Sequence, residues 1–278
     1  MSDRRFGEMA DVPDGQDSAL SYAVFERDRN VLEMVKNALR HNEAALAFQP
    51  VVEAGDTGRI AFYEGLMRIF DDTKRVIPAR EFMDHVEDTE VGRLIDCVAL
   101  EQGLQTLADH PHVRLSVNMS LRSAGYPRWM ESLERGLARD ATVGERLILE
   151  ISEASAMMVP ELVTPFMDHV RGKNVAFALD NFGAGITSLS HLRDFSFDIL
   201  KIHGGFSRSI HRTPDNQVLV SGLRMIAEHF EMLTVACGVE TREEALWLSD
   251  HGIDCLQGHL FGVPRVNMVW QEEQIRAG

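Results

Sequence analysis

The regular alternation of two kinds of apolar segment constrains this chain more than any other feature. Short runs, among them Val113 to Val117, Arg146 to Leu149, Val175 to Leu179 and Asp198 to Leu200, have the length and continuous apolar character of strands buried on both faces. Longer stretches at helical spacing lie between them. Val91, Leu94, Ile95 and Val98 fall on one face in a pattern that continues to Leu107, and residues 160–170 and 218–230 read the same way. Strand–helix alternation requires a parallel sheet, open or closed. The strand ends decide between the two. In order they carry Gln49, Glu64, Asn118, Glu150, Asp180, Lys201, Cys237 and Gln257, so eight strands bring functional groups to one face. A closed barrel does this, whereas an open doubly wound sheet gathers such groups at one switch point and usually has a Gly-rich fingerprint after its first strand. No such fingerprint is present there. The expected fold is an α/β (β/α)8 TIM-like barrel. Gly55-Asp56-Thr57-Gly58 reads as a hairpin turn, which allows the first strand to run antiparallel.

With 278 residues the chain is long enough for one such barrel, for which about 250 is typical. Residues 1–27 are polar and without sustained period, and are expected to form a flexible N-terminal tail ahead of a barrel over 28–278. No apolar run is long enough to span a membrane, and Arg4 and Arg5 are not followed by the apolar stretch of a secretory signal. The net charge of −15 opposes a broad nucleic-acid surface, so neither DNA nor membrane is an expected partner. It leaves room for a small anion held by local cations. Cys97, Cys237 and Cys255 are an odd number without CxxC pairing, which suits a reducing compartment and hence the cytoplasm.

Glu64, Asn118, Glu150 and Asp180 are four oxygen donors from four strand ends, the donor type that hard cations such as Mg²⁺ or Mn²⁺ take. A carboxylate at a strand end is, taken alone, more often a helix cap or ion-pair partner; the convergence of four donors on one barrel face points to a shared site. Lys201 ends an apolar strand and can neutralise phosphate or orient a water, or it can snorkel. Arg68, four residues after Glu64, can pair with phosphate or with a surface carboxylate. Asn181 to Gly185 follow Asp180 with two glycines and are expected to open a helix whose N-terminus favours anions.

These segments resemble the EAL domain, a barrel phosphodiesterase that hydrolyses cyclic di-GMP to the linear dinucleotide. The matching stretches are Gln49-Pro50, Glu64-Gly65-Leu66-Met67-Arg68, Ser116 to Ser120, Leu149 to Glu153, Asp180 to Gly185, Leu200-Lys201-Ile202, Gly238-Val239-Glu240-Thr241 and Gln257-Gly258, in order over about residues 28–265. The resemblance implies a two-metal hydrolysis. It assigns Glu64, Asn118, Glu150 and Asp180 to the first ion and Lys201 to the attacking water. Glu153 steadies the loop after Asp180, Gln257 closes the far side, and Gln49, Leu66 and Arg68 contact the nucleotide.

The departures cluster. Asn181 stands where the family has a second aspartate, Cys237 where it has a glutamate, and His203 where it has an aspartate after Lys-Ile. Glu64-Gly65-Leu66 replaces Glu-Ala-Leu, and His259 the usual tyrosine. An amide and a thiol are poor Mg²⁺ ligands, so the second ion should bind weakly and hydrolysis should be absent or slow. Cys237, His203, His259 and Cys255 offer sulfur and nitrogen that zinc would accept. The expected function is therefore cyclic di-GMP binding with lost or reduced hydrolysis. The alternatives are an active phosphodiesterase and a non-enzymatic adaptor for a protein partner. Leu189, Leu192 and Phe195 give an apolar face that fits either a homodimer contact or packing on the barrel.

Overall fold

The computed structural model describes residues 19–71, 73–185 and 189–268. The chain opens with helix α1 (Ala19–Arg40), which begins ahead of the expected boundary at residue 28; residues 1–18 of the expected tail lie outside the described residues. Strands β1 (Ala44–Glu53) and β2 (Asp56–Phe70) form a long antiparallel hairpin, and β3 (Val76–Pro78) pairs antiparallel with the far end of β2. Helices α2 (Met83–Val86) and α3 (Glu90–Asp109) lead to β4 (Leu115–Asn118). After α4 (Leu121–Ala124) and α5 (Pro127–Arg139) come β5 (Leu147–Ser152), α6 (Glu153–Met158), α7 (Pro160–Arg171) and β6 (Ala176–Phe182). The series ends with α8 (Leu189–Leu192), β7 (Ile199–Ile202), α9 (Gly204–Ser207), α10 (Pro214–His229), β8 (Leu233–Ala236), α11 (Arg242–Asp250) and β9 (Cys255–Gln257).

Eight strands close into the expected barrel. The parallel series β2-β4-β5-β6-β7-β8-β9 is shut by β1, which pairs antiparallel with both β2 and β9. The hairpin turn is thus the device that reverses one strand of an otherwise parallel barrel. Some of the expected strand ends are not ends. Gln49 and Glu64 lie in the middle of their strands, directly paired, because the hairpin continues past the barrel mouth until β2 meets β3. Among the described residues no helix is long and apolar enough to cross a membrane.

The side-chain period of two along each strand explains where the chemistry sits. Phe62, Ile148, Ala178, Ile199, Val235 and Cys255 form one buried cluster with Val51 inside the barrel. Each stands two positions before Glu64, Glu150, Asp180, Lys201, Cys237 and Gln257 respectively. On the reversed strand the order inverts, and Val51 follows Gln49 by two. The inner cluster is a floor, and the candidate residues are the next layer above it, at the mouth.

Outside the strands, a larger cluster joins barrel and helices through Phe177, Leu149, Leu115 and Trp129. Helix α3 buries more than the single face expected. Val91, Ile95 and Ala99 are joined by Asp96, Cys97 and Leu100, while Leu94 and Val98 are only half-buried, because α3 packs on the strands and on α1 and α5 together. Leu192 and Phe195 are buried in the protomer's own core, which favours the packing alternative for that face; the side chain of Leu189 lies outside the described set.

Candidate functional site

A cavity of about 530 Å³ opens above the floor. Gln49, Glu64, Leu66, Asn118, Asp180, Lys201 and Gln257 line it, as do Asn181, Cys237 and His259. At its centre Lys201, 1% exposed, is held by three carboxylates: Nζ lies 2.5 Å from Glu150 Oε2, 2.9 Å from Glu64 Oε2 and 3.4 Å from Asp180 Oδ1. A buried ammonium is tolerated only with such pairing. Burial opposes its charge, but the three carboxylates outweigh that and hold its pKa well above the ordinary lysine value.

The acids differ among themselves. Burial works against ionised Glu64, yet the Lys201 charge and hydrogen bonds from Gln257, Lys201 and Asn118 carry its pKa below the usual value. Asn118 Nδ2 donates to Glu64 Oε1 at 3.0 Å and Gln257 Nε2 to Glu64 Oε2 at 2.5 Å. Glu150 is pushed up to about 8, by burial first and then by the neighbouring Glu64 charge, with Lys201 offsetting part. Its second oxygen, Oε1, is buried without a hydrogen-bond partner. Such an orphan is a group that a proton or a cation would satisfy.

Asp180 and Asn181 lie inside β6, not at its end, because Phe182 extends the strand by pairing with Ile202 after a register shift. Asn181 takes a left-handed backbone, φ 57°, which asparagine tolerates. Its Nδ2 donates to Asp180 Oδ2 at 2.7 Å. The helix expected at Asn181 to Gly185 is instead the four-residue α8, which begins at Leu189. Gly183, at φ 87°, has Phe206 so close that an added Cβ would sit 2.5 Å from its ring, and its N–H is taken by Glu153 Oε2 at 3.0 Å. That N–H is therefore not free for an anion. Through this bond the buried Glu153 is tied to the segment after Asp180.

On the opposite wall Cys237, just after β8, keeps part of its surface open. Loss of water around the thiol pushes its pKa far above the thiol range; Lys201 opposes this and the three carboxylates add to it. His203 lies outside the cavity lining and caps α9, Nδ1 accepting from Gly205 N at 3.2 Å. Among the described residues no three His, Cys, Asp or Glu side chains form a metal-holding group: Cys237, His203, His259 and Cys255 do not converge as a zinc set, and the carboxylates of Glu64, Glu150 and Asp180 are turned to Lys201. Arg68 is also outside the lining. Its Nη1 folds back onto the carbonyls of Met67, at 2.9 Å, and Leu66, at 3.4 Å.

Asp96 lines the cavity but was not singled out in the sequence. It accepts from Ser120 N at 2.9 Å and Ser123 Oγ at 2.6 Å, which fastens α3 to the segment after Asn118. Burial raises it to about 7, with those hydrogen bonds acting in the other direction. A lone acid amid Ile95 and Cys97 was the only available signal.

The EAL domain profile matches residues 32–264. The chain belongs to the EAL domain family. Relatives of the chain include an uncharacterised signalling protein of Caulobacter vibrioides, 30% identical over 85% of this chain and 29% of its own length. The cyclic di-GMP phosphodiesterase PdeF of Escherichia coli is 28% identical over 84% of this chain and 32% of its own. The EAL chain thus spans about a third of the length of these relatives. Among solved structures, the PaMucR phosphodiesterase in complex with c-di-GMP superposes with a TM-score of 0.75 at 26% identity, covering 88% of this chain and 99% of that one. The FimX EAL domain of Pseudomonas aeruginosa bound to c-di-GMP, at 24% identity, gives 0.77 and supports the fold.

Proposed function

We propose that this EAL domain binds cyclic di-GMP and hydrolyses it slowly or not at all, acting as a receptor in cyclic di-GMP signalling. The observation that carries this reading is an asymmetry at the barrel mouth. Glu64, Asn118, Glu150, Asp180 and Lys201 are assembled, while Asn181 and Cys237 place neutral groups where the family pattern has carboxylates. The donor set suits one hard cation in its chemistry, Mg²⁺ or Mn²⁺, which would have to share with Lys201 the carboxylates that turn to it. Its oxygens are of the right kind, and the orphaned Oε1 of Glu150 lacks a partner. Such an ion would neutralise phosphate oxygens at the pocket. The set offers less to a second ion: Asn181 brings an amide oxygen without formal charge, and the Cys237 thiol stays protonated. Gln49, Leu66 and Gln257 remain on the wall to meet a nucleotide, whereas Arg68 would have to leave its own strand to reach one.

An active phosphodiesterase is the second reading, favoured by the intact Glu64, Glu150, Asp180, Lys201 and Glu153 and by likeness to PdeF. The deciding experiment is calorimetric titration of cyclic di-GMP in Ca²⁺ and then in Mg²⁺, followed by chromatography of the nucleotide. Recovery of intact nucleotide from a saturable complex is the expected result. Conversion to the linear dinucleotide at a rate abolished by Glu64→Ala would transfer support to the second reading. Absence of binding would sink both.

A further inference from the structure

The family pattern leaves the Cys237 position merely vacant of its carboxylate, but the side chains around it form a directed hydrogen-bond chain. Cys237 Sγ lies 3.6 Å from Gln257 Oε1. Gln257 Nε2 donates to Glu64 Oε2 at 2.5 Å and to Gln49 Oε1 at 3.3 Å. Gln49 Nε2 in turn donates to the carbonyl of Gly262 at 3.0 Å. Every link has one polarity, thiol to amide oxygen and amide nitrogen to acceptor. Gln257 is 5% exposed and Gln49 8%, so both amides are largely withdrawn from bulk water and depend on these partners.

We propose that Cys237 is a positioning residue of the pocket: its thiol, donating to Gln257 Oε1, sets the amide so that Nε2 faces Glu64 and Gln49. The alternative occupants of position 237 show why a thiol matters. A carboxylate there would put an acceptor opposite Gln257 Oε1, and either the amide would turn away from Glu64 or a cation would have to lie between. An alkyl group would leave Oε1 buried with one donor fewer. The thiol needs neither a turn nor a cation. It completes the chain from β8 through β9 to β1 and β2, the strands that close the barrel. The close approach of these segments is built in, since a Cβ at Gly258 would meet the Val239 carbonyl at 1.9 Å. The second cation position has in this way become a hydrogen-bonded strut.

The test uses the whole chain in EDTA, with the side-chain amide signals of Gln257 followed by ¹⁵N NMR and assigned by their loss in Gln257→Met. Wild type and Cys237→Ser, which keeps a donor, should show the same resolved and slowly exchanging pair. Cys237→Ala should exchange faster by about fivefold or more, the scale of one lost neutral hydrogen bond. If alanine unfolds the protein, Cys237→Val, similar in size and without a donor, takes its place. Wild-type protection in the donor-less variant, or failure of serine to restore it, would overturn the assignment. A second readout rests on the receptor reading: cyclic di-GMP affinity should fall with alanine and hold with serine. If no form binds the nucleotide while the amide signals behave as stated, the receptor reading fails and the positioning role stands.

Discussion

The two walls of the pocket solve the same problem, stabilising polar groups away from water, by different means. On the β2, β5, β6 and β7 wall three carboxylates share one ammonium, and one carboxylate oxygen is left without a partner. On the β1, β8 and β9 wall the groups are neutral and linked in hydrogen bonds from Cys237 to Gly262. The first wall is under-compensated in charge and suited to take up a cation. The second is complete without one. A family site that used matching acids on both walls would be symmetric in this respect; the proposed receptor reading rests on the asymmetry found here.

The comparison can be broken most forcefully at Lys201. Lys201→Met would leave three carboxylates without their shared counter-charge, and removing one partner of a buried ion pair costs about 3–5 kcal/mol. Urea unfolding in EDTA measures it, and added Mn²⁺ should restore part. A loss below about 1 kcal/mol, the range of exposed pairs, would mean that the ammonium is not what holds this wall.

The next effect lies at Asp96, an acid with no cationic partner among the groups that shift it. Its native pKa is raised from 3.8 to about 7. The folded state therefore binds the proton more tightly, so the stabilisation is complete below about pH 4 and is lost as pH rises to about 7. The full span is about 4 kcal/mol. Unfolding followed across that window should show stability declining with pH, and Asp96→Asn should flatten the decline. An unchanged slope in the variant would remove Asp96 as its source.

Restoring the acids sharpens the contrast between the walls. Asn181→Asp with Cys237→Glu should raise Mn²⁺ stoichiometry from one to two by equilibrium dialysis, since two added charges favour a second dication. A stoichiometry unchanged at one would show that the second position was lost for reasons beyond these two residues. The smallest effect is at Glu153. Glu153→Gln retains an acceptor for Gly183 N–H but loses the charge, at a cost of about 1 kcal/mol in urea unfolding.

Much of the fold was legible because the strands repeat one rule, an apolar run capped by a polar residue. Glu150 and Lys201 stood out since an ionisable side chain in such a run needs a partner. The length of β1 and β2 was not legible, because the continuation of the hairpin past the mouth depends on β3 pairing from the other side. Asp96 was hidden for a different reason. A polar residue on a helix is ordinary in sequence, and only the packing of α3 beneath Ser120 and Ser123 makes it a buried acid at the pocket. Arg68 was read from its spacing to Glu64, which says nothing of the carbonyls of Leu66 and Met67 to which its guanidinium bonds.

The floor of Phe62, Ile148, Ala178, Ile199, Val235 and Cys255 separates two kinds of tolerance. Below it an altered volume would propagate around a closed ring of strands. Above it Cys237 and Asn181 stand at the mouth, in a layer that the strands' closure does not depend on for its packing. A barrel divided in this way lets the chemistry at its rim vary while the frame beneath remains the same object mechanically.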